Sequence, residues 1–339
     1  MNPENIVNIT HFIIVGISSV RELQLPIFLL ALLIYLFTLG GNMIILLLVC
    51  LDCHLHTPMY FFLANLSVLD MSSSTITLHM ILTGFISGRS TISYGGCILQ
   101  MYVWASLIGL ELLILSSMSY DRYVAICKPL KYNMIMNYRL CGLLASLCWV
   151  SGFLQSLPHT IVIIKFSCYE SIKINHFFCD ILPLKYITCS DTSLLDYFIL
   201  ASVLFHLFFS FPLTFMPYVF ILDTILKIPS NIARRKAFHT CSSHLTVVIL
   251  LYVVLLCQYL KPGQENNLES SKLFSLFNTA AVPMLNPLIY SLKNRDVKLA
   301  LRRELKRFKS SYCWERQFSW CTQKATQQKG ISNLSGCKL

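Results

Sequence analysis

The chain has 339 residues, 55% of them hydrophobic and only 13% charged, and its mean hydropathy is +0.62. A soluble domain carries about a quarter of its residues as charged groups, so an ordinary water-soluble fold is excluded. The formal net charge is +11, from 27 Lys and Arg against 16 Asp and Glu. Residues 1–24 come first and include Asn8-Ile9-Thr10, a triplet that accepts an N-linked glycan at Asn8. They lack a basic segment followed by a short apolar core and a cleavage site, so no cleaved signal peptide is expected. The first apolar run is expected to act as the anchor.

Seven apolar runs follow, at 25–51, 57–82, 94–120, 140–164, 197–222, 237–260 and 273–292. Each reaches the roughly 20 residues that a bilayer span needs. The first, fourth, fifth and seventh contain no Asp, Glu, Lys or Arg. The second holds only Asp70, the third only Glu111, and the sixth only histidines. A soluble helical core explains one or two such runs but not seven, so the prediction is an all-α membrane protein, a seven-helix bundle over residues 25–308. Connections are short except for the stretch from Lys165 to Asp196, long enough to fold over one mouth of a bundle. After Asn294, basic and apolar residues alternate at helical spacing, which predicts a short amphipathic helix lying on the membrane. Residues 309–339 are rich in Ser, Gln, Thr and Lys and are expected to form a disordered tail.

Basic residues are enriched on the cytoplasmic side of membrane proteins. With the C-terminus inside, the inner segments hold Arg122, Lys128, Lys131, Arg139, Lys227, Arg234, Arg235, Lys236 and twelve more from Lys293 onward. The outer segments hold only Arg21, Arg89, Lys165, Lys173, Lys185, Lys261 and Lys272. The positive charge thus sits at span ends as a topology signal, and no nucleic-acid partner is expected. Of 14 cysteines, four fall outside, Cys97, Cys168, Cys179 and Cys189, where disulfides form. Four cysteines allow three pairings, and spacing alone does not choose among them.

Cys97 and Arg122 lie 25 residues apart on one predicted helix, about 37 Å at 1.5 Å per residue, slightly more than the hydrocarbon thickness. Cys97 therefore belongs to the outer interface and Asp121-Arg122-Tyr123 to the inner one. An arginine there is commonly a snorkelling side chain; the functional alternative is an internal lock or a partner contact. Asp70 lies about 18 Å in from Pro58, and Glu111 about 16 Å from Arg122, so the two acids share a level. Side by side, they cannot both stay charged without a cation; otherwise they keep a proton. The plainer alternative is two separate hydrogen-bonded acids.

The motifs decide the family. The chain reads Gly41-Asn42 in the first span, "LHTPMYFFLANLSVLD" at 55–70 and "MSYDRYVAICKPLKY" at 118–132. It reads "KAFHTCSSHLTVV" at 236–248 and "PMLNPLIYSLKNRDVKLAL" at 283–301. Together these resemble the vertebrate odorant receptors, a group of rhodopsin-like G-protein-coupled receptors, over residues 8–308. The resemblance implies a small-molecule odorant as ligand, a heterotrimeric stimulatory G protein of the olfactory type as partner, signalling through cyclic AMP, a plasma-membrane location with the N-terminus outside, and no cofactor.

Residue by residue, it implies that Arg122 contacts the G protein in the active state, with Asp121 its resting partner. Tyr123 and His244 stand in the same coupling motifs. Tyr218 and Tyr290 match tyrosines that rearrange on activation, Tyr290 within Asn286-Pro287-Leu288-Ile289-Tyr290. It implies disulfides Cys97–Cys179 and Cys168–Cys189, and a sodium or proton site at Asp70 and Glu111 with Asn42 and Asn286 nearby. Two departures from the family pattern stand out, Pro217 and His239, where serine is usual. Pro217 removes a backbone donor from the fifth helix.

Met101, Trp104, Ala105 and Ile108 recur at helical spacing on one face of the third span. Ser202 and His206 do so on the fifth, and Tyr252, Leu255 and Tyr259 on the sixth. Helix packing is the commoner fate of such stripes, but these positions match the family's odorant pocket, to which Phe205 and Thr279 are added. Other classes fit less well. A retinal photoreceptor needs a lysine midway along the seventh span, which has lysines only at its ends. An amine receptor wants an acid where Trp104 stands. A transporter needs a polar path through the bundle. An enzyme is not expected: His239 and His244 are five apart, too far for an adjacent-turn metal pair, and no nucleophile elbow appears. The sequence does not separate an odorant receptor from a non-olfactory chemosensory receptor of the same fold.

Overall fold

The computed structural model describes residues 9–18, 20–87, 90–259, 267–293 and 296–307. Seven long helices form a bundle: α1 (Arg21–Leu51), α2 (Pro58–Ser87), α3 (Tyr94–Cys127), α4 (Tyr138–Ile164), α5 (Ser193–Leu226), α6 (Asn231–Tyr259) and α7 (267–293). A further helical stretch occupies 296–307. Polar side chains cap the starts of α3 and α4. Ser93 accepts a hydrogen bond from the Gly96 N–H at the head of α3, and Asn137 accepts one from Leu140 at the head of α4.

Among the described residues, α1 to α5 are long and apolar enough to cross a membrane. α6 opens on basic turns that include Arg234 and Arg235, and α7 opens on the polar segment Asn-Leu-Glu-Ser-Ser-Lys. Only 22% of the apolar window of α1 and 11% of that of α5 is buried inside the protein. Leu33 and Phe208 accordingly point outward, two-thirds exposed, as a lipid-facing surface requires.

α3 is the central helix, packed against α2, α4 and α5. Wide π turns interrupt two helices, at His206–Ser210 in α5 and Phe277–Ala281 in α7. Each is followed closely by a proline, Pro212 and Pro283. A proline lacks the N–H its helix needs, and a local widening re-satisfies the freed carbonyls.

One end of the bundle is closed by a structure that no sequence pattern predicted. Strand β1 (His11–Ile14) lies between β2 (Thr91–Ser93) and β3 (Lys173–Ile174). It pairs antiparallel with β2, His11 opposite Ser93, and parallel with β3, Ile13 opposite Lys173. Phe12 is fully buried between the rings of Tyr94 and Tyr169. The structure pairs Cys97 with Cys179 and Cys168 with Cys189. The first bond ties the long 165–196 loop to α3, and Gln100 reinforces it by accepting from the Cys179 N–H while donating to the carbonyl of Ile76. The N-terminal segment and the loop thus form one lid.

Within the lid, Asp180 caps the short helix Ile181–Ile187. One carboxylate oxygen accepts from the Ile181 N–H at 2.7 Å; the other is buried with no hydrogen-bond partner. Burial pushes this carboxyl up to about 6, against the pull of the Ile181 bond. The folded lid therefore binds a proton that the unfolded chain, near 3.9, releases. Stability should fall as pH rises from about 4 to about 6 and level off above. Asp180→Asn keeps the cap and removes the ionisation, so it should flatten that segment. Thermal midpoints of the purified protein across this range measure it, and equal slopes in both proteins would refute the assignment.

Candidate ligand cavity and coupling face

Beneath the lid, α3, α4, α5 and α6 enclose a cavity of about 130 Å³. An apolar cavity near this size accommodates a benzene-sized molecule. The α3 wall is Ala105, Ile108, Gly109 and Leu112, at the spacing of a single helix face, and Ile181 of the lid forms part of the roof. The α5 wall includes Ser202 and His206, and the α6 wall is Tyr252, Leu255 and Leu256.

The polar groups here are few and mostly engaged. Ser202 Oγ meets His159 Nε2 at 3.3 Å. The Tyr252 hydroxyl bonds Ser210 at 2.6 Å and Thr214 at 3.3 Å, and Thr214 bonds Ser116 at 2.6 Å. The Nδ1 atoms of both His159 and His206 are buried without a hydrogen-bond partner. Among the described residues, no Asp, Glu, Lys or Arg lines the cavity.

Of the sequence-predicted ligand residues, Ala105, Ile108, Ser202, His206, Tyr252 and Leu255 come together on this wall. Four others lie elsewhere. Met101 is fully buried in the packing between α3 and the lid. Trp104 turns the other way, edge-on to Phe178 in a cluster with Phe177. Phe205 is 40% exposed and stacks on Phe209, facing the lipid side. Thr279 sits in the α7 π turn, its carbonyl accepting from Ser74 of α2. The reason is geometric: Trp104 lies on the flank of α3 that meets Phe177 and Phe178 of the lid, and Met101 sits higher, in the cluster where α3, α4, the lid and the head of α5 converge. Asn8 and the side chains of Tyr259, Tyr290 and His239 lie outside the described residues.

The sequence reading missed the α4 wall, Gln155, Ser156 and His159. Its signal was present: Gln155 and His159, four apart, are the one amide and the one imidazole in the 140–164 span. Gly109 is the matching signal on α3, since a Cβ there would fall 1.3 Å from Gln155 Nε2. Any larger residue at 109 would oblige the Gln155 amide to move.

Deeper in the bundle, Asn286 Nδ2 donates to both oxygens of Asp70 at 3.0 Å. Glu111 is buried within electrostatic reach of Asp70, and its Oε1 and the Oδ1 of Asn286 have no hydrogen-bond partner. Asn42 lies beside this pair rather than on it, donating to the carbonyls of Thr38 and Pro283. α1 and α7 touch closely here: a Cβ on Gly41 would fall 3.0 Å from two Pro287 side-chain carbons.

At the end opposite the lid, Arg122 pairs with Asp121 at 3.6 Å, and Tyr132 donates to Asp121 at 2.8 Å. Tyr123 packs on Phe220, with the Lys128 ammonium 5.4 Å from its ring centre. Tyr218 of α5 and His244 of α6 are buried and hydrogen-bonded to each other. The loop between α1 and α2 holds the 296–307 stretch: Asp52 accepts two hydrogen bonds from Arg303, at 2.6 and 2.8 Å, and one from the His54 N–H. Burial alone would raise the Asp52 carboxyl, but the bonds from Arg303 and His54 outweigh it and hold it at about 2.

A seven-helix bundle with a lidded cavity at one end and an Asp-Arg pair at the other defines a rhodopsin-like receptor. Its fold is similar to the crystal structure of squid rhodopsin, with a TM-score of 0.60 at 16% identity, covering 86% of this chain and 88% of that one. In sequence, the olfactory receptor family model matches residues 31–307. Olfactory receptor 8G50 of Mus musculus is 43% identical over 295 residues, 87% of this chain and 95% of its own length. Olfactory receptor 8D1 of Homo sapiens is 42% identical over 305 residues, 90% of this chain and 99% of its own. The chain belongs to the olfactory receptor family. It is a multi-pass membrane receptor of the G-protein-coupled class, not an enzyme.

The contact of Gly41 with Pro287 generates a test. Gly41→Ala should push α1 off α7 and destabilise the bundle by about 1–3 kcal/mol, the usual effect of overpacking. Thermal unfolding of the purified receptor measures the change; an unaltered midpoint would show that the approach is not tight.

Proposed function

We propose that the protein is an odorant receptor of the plasma membrane. It binds small, mostly uncharged hydrophobic molecules in the α3–α6 cavity and activates a stimulatory G protein of the olfactory type, raising cyclic AMP. The observation that carries this is the cavity itself: small, roofed by the lid, apolar and, among the described residues, free of charged side chains, with imidazole and hydroxyl groups as its polar handles. Such a wall suits an uncharged ligand with one hydrogen-bonding group. Family membership supports the coupling.

In this proposal the lid end and Asn8, with its glycan, face outside, and Arg122 and the basic C-terminal segment face the cytosol. The distribution of basic residues supports that orientation, as do two disulfides grouped at one end. Asp121, Arg122, Tyr123, Tyr218, His244, Asn286, Pro287 and Tyr290 carry activation and coupling. Asp70, Glu111 and Asn286 hold a sodium ion or share a proton, the buried free oxygens of Glu111 and Asn286 fitting a hard cation. A monovalent ion held there would balance one of the two acids, and the other would keep its proton.

The experiment is an odorant panel on cells reporting cyclic AMP, with responses normalised to surface receptor. Ala105→Phe places a ring in the cavity and should raise the concentration needed for half-response by roughly tenfold or more. Arg122→Ala should abolish the response and leave surface delivery largely intact. If Ala105→Phe matches wild type across several agonists, the ligand sits elsewhere; if Arg122→Ala signals normally, its assigned role is wrong.

A further inference from the structure

The loop between α1 and α2 carries a donor set that neither the ligand cavity nor the coupling residues use. It reads Asp52-Cys53-His54. Asp52 leaves α1 with extended backbone, and Cys53–Leu55 then form one tight turn, anchored by the fully buried Leu55. The turn folds the His54 side chain back over Asp52. Its Nδ1 stands 2.9 Å from Asp52 Oδ1 and 3.8 Å from Cys53 Sγ. Carboxylate, thiol and imidazole each offer one ligand atom, and the three atoms lie within 4.8 Å of one another. Capping the turn requires only the bond from the His54 N–H to Asp52 Oδ1. It gives no reason for the imidazole and the thiol to gather at the same oxygen.

Spacing, support and charge all fit a metal ion. A tetrahedral zinc ion with bonds of roughly 2.0–2.3 Å keeps its ligand atoms roughly 3.3–3.6 Å apart. Small rotations of Cys53 and His54, both exposed, bring the trio to that spacing. Arg303 donates twice to Asp52 Oδ2, at 2.6 and 2.8 Å, which leaves Oδ1 turned toward Cys53 and His54. Carboxylates that bind metals are commonly held in this way by further hydrogen bonds. A divalent ion on one carboxylate and one thiolate is locally neutral, so it does not repel the Arg303 guanidinium. Cys50, three residues before Cys53, is exposed on the last turn of α1 and stands outside the group.

We propose that Asp52 Oδ1, Cys53 Sγ and His54 Nδ1 bind a zinc ion, with a water in the fourth position. On binding, the Cys53 thiol gives its proton to solvent, and the neutral His54 ring keeps its proton on Nε2. A thiol and an imidazole disfavour magnesium and calcium, which take oxygen ligands, and the carboxylate disfavours copper(I), which takes soft ones. Because the same carboxylate holds Arg303 on its other oxygen, the ion braces the joint between this loop and the 296–307 helix. In the orientation proposed above the site faces the cytosol, where thiols stay reduced.

The test is alkylation of the purified full-length receptor in metal-free buffer, with zinc titrated in and each cysteine read by peptide mapping. Saturating zinc should slow alkylation of Cys53 by roughly tenfold or more, since a metal-bound thiolate is a poor nucleophile, and leave Cys50 reactive. Magnesium should protect neither. His54→Gln should raise the zinc concentration for half-protection by more than about tenfold. Arg303→Gln, which touches no ion but frees the carboxylate, should raise it by about tenfold. Zinc should also raise the thermal midpoint of the wild type and not that of Cys53→Ser. The proposal is overturned if zinc leaves Cys53 alkylation unchanged, if it protects Cys50 equally, if magnesium serves as well, or if His54→Gln behaves like wild type. Odorant responses are not the readout, so failure here leaves the reading of the ligand cavity untouched.

Discussion

The bundle depends on one buried link, the Asn286 amide held against both oxygens of Asp70. A carboxyl group at mid-membrane depth is expensive unless its oxygens are satisfied, and here a single side chain from α7 satisfies both. The neighbouring contacts serve the same junction. Asn42 of α1 donates to the Pro283 carbonyl of α7, and Ser74 of α2 to the Thr279 carbonyl. Gly41 lets Pro287 approach. Pro283 and Pro287 weaken the intrahelical bonding of α7, and side chains from α1 and α2 supply the bonds that keep it in place.

The lid solves a different problem. Loops outside a membrane have no lipid to fix them, and a cavity roofed by a loose loop is not a defined cavity. Two disulfides, a three-stranded sheet and the buried ring of Phe12 tie the N-terminal segment and the 165–196 loop to the head of α3. Ile181 is thereby held over the cavity as a fixed wall residue.

How much of this was legible in the sequence follows from what sequence periodicity encodes. Seven apolar runs and their charged ends were readable because lipid imposes length and composition on each span separately. The α3, α5 and α6 faces of the cavity were readable in part, since Ala105 and Ile108, or Ser202 and His206, share a face by spacing alone. Which flank of α3 faces which neighbour was not, and Trp104 and Met101 lie away from the cavity for that reason. The α4 wall was overlooked because its polar pair, Gln155 and His159, carries no charge to mark it. The sheet was illegible altogether: β3 is only Lys173–Ile174, too short for any alternation, and its pairing is set by the disulfide that brings the loop to α3.

The distribution of polar groups along the bundle bears on how the cavity can influence the opposite end. Tyr252 belongs to the cavity wall, yet its hydroxyl is spent on Ser210 and Thr214 of α5, and Thr214 continues to Ser116 of α3. These bonds lie just below the ligand space, where water is scarce and each bond is correspondingly strong. Further along the same pair of helices, Tyr218 and His244 form the next link between α5 and α6, close to the Asp121–Arg122 pair. Tyr252 thus joins the cavity wall directly to the contact between α5 and α6. Because α5 is already broken by a π turn at 206–210 and by Pro212 and Pro217, it has fewer internal bonds to lose than a continuous helix. The polar contacts that α5 makes with α3 and α6, rather than its own backbone, then decide where it sits.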